Sequence, residues 1–338
     1  MVNMRDVAHR AGVSIATVSF VLNGTKPVTA ATRAKVEQSM ADLGYRRNVV
    51  ARALASRRTH IIAMAYPALD HKFGFSAAEF FTSAADAARN QDYHLVLWPV
   101  GNDGSELTEL VGQGLVDGVV LMEVQLDDPR VKVLQGIGMP FALIGRTSAL
   151  EGLSHVDIDF DRTVEDAVEY VYGLGHRRLT LISGNLNDPL FSTYGPYVRS
   201  EAAYRRVAAE YGLEIAVLES GGSTQAGQEA MARLVREYPD TTAVLIVNEF
   251  AALGAVAGLH RLGLRVPDDI SVLPLLMATE MAALTNPELT IMRTPGPELG
   301  HLGTEALIRQ LEGADPLPPQ LVPAKLHPGA TVAPPRSQ

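Results

Sequence analysis

The side chains best suited to chemistry near the start of this 338-residue chain are Ser14, Thr17, Ser19 and Asn23. At this spacing the hydroxyls and the amide share the outer face of a short helix, a surface for hydrogen bonding rather than for bond making. Bond-making arrangements are not found elsewhere. There is no Gly-rich phosphate loop, His-Glu-x-x-His helix or Gly-x-Ser-x-Gly elbow. The absence of cysteine excludes disulfides, thiolate catalysis and cysteine metal sites. Asp157, Asp159 and Asp161 alternate, but no metal-loop spacing follows, and they read as solvated turn residues. The expectation is a protein with no catalytic residue, no metal and no cofactor.

The polar cluster belongs to RDVAHRAGVSIATVSFVLN at 5–23. Residues 6–11 suit a turn and a half of helix, Gly12 its stop, and Ser14 the N-cap of a second helix. Val7, Ala8, Ala11, Val13, Val18 and Val21 supply a small apolar core. Two short helices joined this way form a helix-turn-helix or a helical hairpin with no DNA role. A third helix is expected over 29–43, with Thr29 as N-cap, Val36, Met40 and Leu43 at helical spacing, and Gly44 at its end.

Charge separates these readings. The chain carries a net charge of −9, yet residues 1–58 hold ten basic and three acidic residues, which makes that segment about +7 and the remainder about −16. A basic arm on an acidic body is the asymmetry expected when one end meets phosphates. At 47% apolar and 20% charged residues the chain is globular, and its length suits a small domain plus a larger one. No apolar run is long enough to span a bilayer and no signal peptide is legible, so no membrane partner and a cytoplasmic location are expected.

The blocks RDVAHRAGVSIATVSFVLNG at 5–24, ADLGYR at 41–46, ARALASRRT at 51–59, GHRRLTLISG at 175–184 and LGLRVPDDISV at 262–272 carry a resemblance to the LacI/GalR family of bacterial transcription regulators. The resemblance covers nearly the whole chain. It implies a small all-α helix-turn-helix domain, a hinge helix, and a two-lobed α/β core like that of periplasmic sugar-binding proteins. Expected boundaries are 1–46 for the DNA-binding domain and 47–59 for the hinge. The first lobe is expected at 60–159 and 291–319, and the second at 160–290 and 320–338.

Apolar runs agree with a parallel α/β core. Strands are expected at 61–67, 93–100, 117–123, 141–145, 178–184, 215–220, 243–248 and 270–276, alternating with helices. The polar stretches at 156–161 and 287–294 read as passages between lobes, and the Pro-rich 320–335 as an edge strand and tail. Gly175 reads as a helix C-cap and His176 as structural.

The resemblance also implies residue roles. Ile15, Ala16 and Phe20 match the positions that reach base edges in the major groove. All three are apolar here, so they suit thymine methyls and not guanine, unless Phe20 packs inward. Ser14, Thr17, Ser19, Asn23 and Tyr45 match phosphate contacts. A helix at 48–56 is too short to be stable alone; Arg52, Ala53 and Leu54 match the minor-groove contacts of paired hinge helices, with Leu54 as a wedge or as dimer packing.

Effector positions match Phe73, Arg146, Asp159, Arg199, Asn248 and Glu249. Bland alternatives exist: Arg146 in an interlobe ion pair, Asp159 in a turn, Phe73 and Phe75 in lobe packing. Two departures stand out. Arg199 is displaced by one from the usual place, and Pro274-Leu-Leu-Met277 replaces Gly-Phe-Asp-Asp, which removes a carboxylate.

The implied function is a dimeric repressor on a pseudo-palindromic double-stranded DNA operator, controlled by a sugar or nucleoside-like small-molecule effector acting as inducer or corepressor. A homodimer is expected; a tetramer stays open, although no heptad-rich tail is present. The other readings are a cytoplasmic small-molecule binding protein and a regulator controlled by a protein partner.

Overall fold

The structure is a computed structural model; it describes residues 2–23, 26–45, 58–67, 75–189, 191–315 and 317–336. Arg52, Ala53, Leu54 and Phe73 lie outside the described residues, as does the side chain of Asn23. The chain divides into two compact units, Met1–Thr59 and His60–Gln338.

In the first unit, α1 (Met4–Ala11) starts two residues before the expected position because Asn3 caps it. The Asn3 side chain accepts from the amides of Arg5 and Asp6, and Asp6 reciprocates to the Asn3 amide at 2.9 Å. Gly12 (φ 66°) turns the chain into α2 (Ile15–Asn23), where Ser14 Oγ accepts the Thr17 amide at 3.1 Å. Thr29 caps α3 (Ala30–Leu43), which ends at Gly44 (φ 62°). Val7, Val18 and Val36 meet as the fully buried centre of this unit.

The second unit holds two parallel sheets. The first consists of β1 (Ile61–Pro67), β2 (His94–Val100), β3 (Gly118–Met122), β4 (Phe141–Ile144), β5 (His155–Ile158) and β11 (Gln320–Val322), in the order β11-β5-β4-β3-β1-β2. Alternation sorts its side chains. Ile62 and Met64 face α4 (Phe75–Asn90) and α12 (Gly296–Leu311), while Ala63 and Ala65 face α5 (Ser105–Gly112) and α6 (Pro129–Ile137).

The second sheet has β6 (Arg178–Ser183), β7 (Glu214–Glu219), β8 (Ala243–Ile246) and β9 (Ser271–Pro274), in the order β7-β6-β8-β9. One face packs on α7 (Phe160–Gly173) and α8 (Gly195–Glu210). The other packs on α9 (Thr224–Glu237) and α10 (Glu249–Arg261). These two helices approach at Gly227 and Gly254; a Cβ on either would overlap a backbone carbonyl, of Ala251 or Thr224. A short α11 (Thr279–Ala282) follows β9, and β10 (Ile291–Arg293) pairs antiparallel with β12 (Lys325–His327).

The chain passes between lobes three times: after β5, after β10 and after β11. The last two passages fall about three residues later than expected. Residues 291–293 pack with the second lobe, and 320–322 form a strand of the first sheet, paired with β5. Strands of three residues are too short for periodicity to assign. A second correction concerns 156–158, read as part of a passage between lobes with Asp157 a solvated turn residue; together with His155 they form a buried strand. His176 is buried, with Nδ1 on Thr242 Oγ1 and Nε2 on the Ala333 carbonyl, and so ties the C-terminal segment to the second lobe. Among the described residues no helix is long and apolar enough to cross a membrane.

Candidate functional site

Parallel strands present their carboxyl ends to a common edge, where ligands of open α/β sheets bind. Both sheets do so here, around a cavity of about 240 Å³. From the first lobe, Tyr66 at the end of β1, Glu123 after β3, Gly145 after β4 and Asp157 on β5 line it. From the second lobe come Tyr194, Tyr197 and Arg199 at the start of α8, and Asn248 and Glu249 after β8.

Asp157 is the most buried charged group lining this cavity, at 5% exposure. Its Oδ2 lies 3.1 Å from Arg146 Nε and 3.6 Å from Arg199 Nη1, while the Ile158 amide donates to Oδ1. Burial outweighs both guanidiniums and pushes the carboxyl up to about 6. Arg199 belongs to the other lobe and also donates to the Arg146 carbonyl at 2.6 Å. The pair is therefore a direct link across the cleft.

Two further links flank it. The Leu126 amide donates to the Thr193 carbonyl at 2.7 Å, and Thr193 Oγ1 to Gln125 Oε1 at 3.2 Å. On the other wall, Ser76 Oγ donates to Glu249 Oε2 at 2.6 Å and accepts the Ala278 amide at 3.0 Å. Burial raises the Glu249 carboxyl above its ordinary range, with the Ser76 hydroxyl opposing the shift.

Glu123 sits in the left-handed region (φ 49°), uncommon for a non-glycine residue. Its carbonyl accepts from Arg130 Nη2 at 2.9 Å. Arg130 in turn grips Asp128 through Nε at 3.0 Å and Nη2 at 2.7 Å, both side chains fully buried. Asp128 Oδ2 also accepts the Gln125 amide. This buried pair fixes the loop between β3 and α6, which carries both Glu123 and the contact to Thr193. Burial pushes the Glu123 carboxyl up to about 7, partly opposed by Arg130.

Tyr194 and Tyr197 stand edge to face at 4.9 Å, with Phe191 5.8 Å from Tyr197. They supply aromatic faces with polar tips. Asn248 caps α10 by accepting the Ala251 amide, and its amide also meets the Tyr197 hydroxyl.

Of the expected ligand residues, Arg199, Asn248 and Glu249 line the cavity, and the one-residue displacement of Arg199 still delivers its side chain there. Arg146 stands behind Asp157. Asp159 is a correction: its carboxylate caps α7 by accepting the Arg162 amide, and the carboxylate this segment brings to the cavity is that of Asp157, two residues earlier. Strand alternation puts both on one side of β5, but Asp157 lies within the strand and Asp159 after it. At the replaced acidic motif, Leu276 lines the cavity and Met277 is buried. Glu123, Tyr194 and Tyr197 were not anticipated. A charged residue immediately after the apolar run of β3 was a usable signal for Glu123.

In the first unit, Ile15 is 43% exposed, Ala16 is exposed, and Phe20 is half-buried, outside the apolar cluster, with Lys26 Nζ 5.1 Å from its ring centroid. Ser14 and Thr17 share a hydroxyl–hydroxyl bond at 2.8 Å at the start of α2, and Ser19 is half-buried. Tyr45 closes α3 with its amide on the Met40 carbonyl and packs on the small core. Arg10 and Asp42, 2.6 Å apart, tie α1 to α3.

Residues 3–48 match the family described as bacterial regulatory proteins, lacI family, and residues 168–332 match a periplasmic binding protein-like domain. The HTH-type transcriptional regulator CelR of Thermobifida fusca is 31% identical over 328 residues, covering 94% of each chain. Among solved structures, the lac repressor dimer bound to operator and the anti-inducer ONPF superposes with a TM-score of 0.82 at 26% identity, covering 98% of this chain and 99% of that one. A transcriptional regulator CelR–cellobiose complex gives 0.70 at 26% identity, covering 98% and 100%.

Proposed function

The chain belongs to the LacI family of DNA-binding transcription regulators, and from that premise we propose that it is a cytoplasmic repressor that binds a pseudo-palindromic operator as a dimer under the control of a small hydroxylated effector. The observation that carries the effector is the cavity at the strand ends, to which both lobes bring hydrogen-bonding groups and aromatic rings. The complex of CelR with cellobiose supports a sugar as the ligand class. Asp157, Arg199, Asn248 and Glu249 contact the ligand, with Arg146 supporting Asp157.

On DNA, Ile15, Ala16 and Phe20 meet base edges through apolar contacts. Ser14, Thr17, Ser19, Asn23 and Tyr45 position the helix on phosphates. Arg52, Ala53 and Leu54 enter the minor groove from the hinge. Ligand alters the lobe contacts at Arg199–Arg146 and Leu126–Thr193, and this changes the relative free energy of DNA-competent and DNA-incompetent states.

Selection from random-sequence duplexes by the full-length chain tests the DNA half. A two-fold symmetric sequence is expected. Ile15→Glu, a change on an exposed position, should weaken binding by roughly 100-fold or more at fixed salt while leaving the unfolding temperature unchanged. Recovery of an asymmetric single half-site would remove the dimer, and undiminished binding by Ile15→Glu would remove α2 from the groove.

A further inference from the structure

Effector chemistry follows from which cavity groups already have partners. Among the described residues, the charged side chains lining the cavity are Glu123, Asp157, Glu249 and Arg199. Arg199 is committed to the Arg146 carbonyl and faces Asp157. Asp157 has two guanidiniums beside it, and Glu249 holds the Ser76 hydroxyl. Glu123 differs: among the described residues no donor hydrogen-bonds its carboxylate. Its nearest countercharge, Arg130, gives Nε and Nη2 to Asp128 and to the carbonyls of Met122 and Glu123, and none of its nitrogens hydrogen-bonds the Glu123 carboxylate.

We propose that the effector carries a positively charged amino group held by Glu123, so that the cleft selects amino sugars over neutral sugars of the same shape. This rests on the reading of the cleft as the effector site. The cavity lining carries three carboxyl groups and one guanidinium, a balance that disfavours an anion. A neutral hydroxyl can donate to Glu123 but leaves its charge uncompensated, whereas an ammonium forms the stronger, charge-assisted bond. Tyr194 and Tyr197 both lie close enough to Glu123 to feel its charge, so aromatic rings that can attract a cation stand near the carboxylate. The raised Glu123 carboxyl agrees with an acid that lacks its cation in the ligand-free protein. At about 240 Å³ the space falls below the roughly 300–1,000 Å³ of drug-sized pockets, which suits a single sugar ring.

The test is thermal unfolding and calorimetric titration of the full-length chain with glucosamine, galactosamine and mannosamine. Each is paired with its neutral parent sugar and its uncharged N-acetyl derivative. At least one amino sugar should bind ten-fold or more tightly than both of its partners, and Glu123→Gln should erase that preference. Equal binding of charged and uncharged partners overturns the ammonium proposal and leaves the effector cleft standing. A preference that survives Glu123→Gln removes Glu123 as the anchor. Silence from every sugar, charged or neutral, overturns both readings. The comparison of amino with N-acetyl sugars uses only the unaltered chain, so it decides the matter even if the variant folds poorly.

Discussion

Arg130→Ala is expected to destabilise the ligand-binding unit by about 3–5 kcal/mol, because it strands the Asp128 carboxylate in a site without solvent. Both side chains of this ion pair are 0% exposed, and the guanidinium engages Asp128 through two nitrogens. The pair does not merely fill space. Arg130 Nη2 also donates to the Met122 and Glu123 carbonyls, and Asp128 orders Gln125 and caps α6. Loss of the arginine should therefore loosen the loop that carries Glu123 and the Leu126–Thr193 link. Denaturant unfolding should show a lower midpoint, and sugar binding should weaken in the same variant. Asp128→Asn combined with Arg130→Met should recover much of the stability, since it removes both charges and retains the cap. A single-variant loss below about 1 kcal/mol would mean that the pair is hydrated in solution.

The second large effect is on pH. Glu123 is pushed up to about 7 from an ordinary 4.5, and Asp157 up to about 6 from 3.8, burial being the main cause in each. Between those values the folded chain holds protons that the unfolded chain has released. Folding stability therefore falls as pH rises from about 4 to 7, by on the order of a few kcal/mol for the two groups together. Asp42, Asp103 and Glu106 are exposed and held low by hydrogen bonds, from Arg10, the Ser105 amide and the Gly101 amide respectively, and work in the opposite direction. The informative quantity is thus the difference between the unaltered chain and Glu123→Gln. That difference should grow between pH 5 and 8, in favour of the variant. Parallel stability profiles would show that Glu123 ionises freely in the folded protein.

Much of this architecture was legible from apolar patterning. The eight strands expected from apolar runs all occur; the central ones, such as IIAMAYP and AVLIVN, are buried on both faces and leave a continuous imprint, while β2 and β7 are edge strands. β5 was missed for a physical reason: Asp157 interrupts its short pattern and Asp159 follows directly, and an acid in a strand signals a turn unless a partner from elsewhere faces it. Here Arg146 and Arg199 do so from β4's end and from α8, distant in sequence. The same argument explains the site. Asn248 and Glu249 follow an apolar strand directly and could be placed from the chain alone together with the family resemblance. Tyr194 and Tyr197 reach the cavity through the loop after β6, whose path no local pattern encodes. The helix-turn-helix was readable because its caps, Ser14, Gly12, Thr29 and Gly44, are local by nature.

A ligand-controlled repressor requires coupling between the cleft and DNA. Fluorescence anisotropy of the full-length chain on the duplex it selects, at fixed salt, tests it most directly. The titration is run without ligand and with a saturating amount of the sugar that raises the unfolding temperature most. A change in DNA affinity of about 5- to 150-fold is expected, with the DNA shifting sugar affinity by the same factor. Identical DNA affinity at saturating sugar would contradict it, since a ligand that binds both states equally shifts neither.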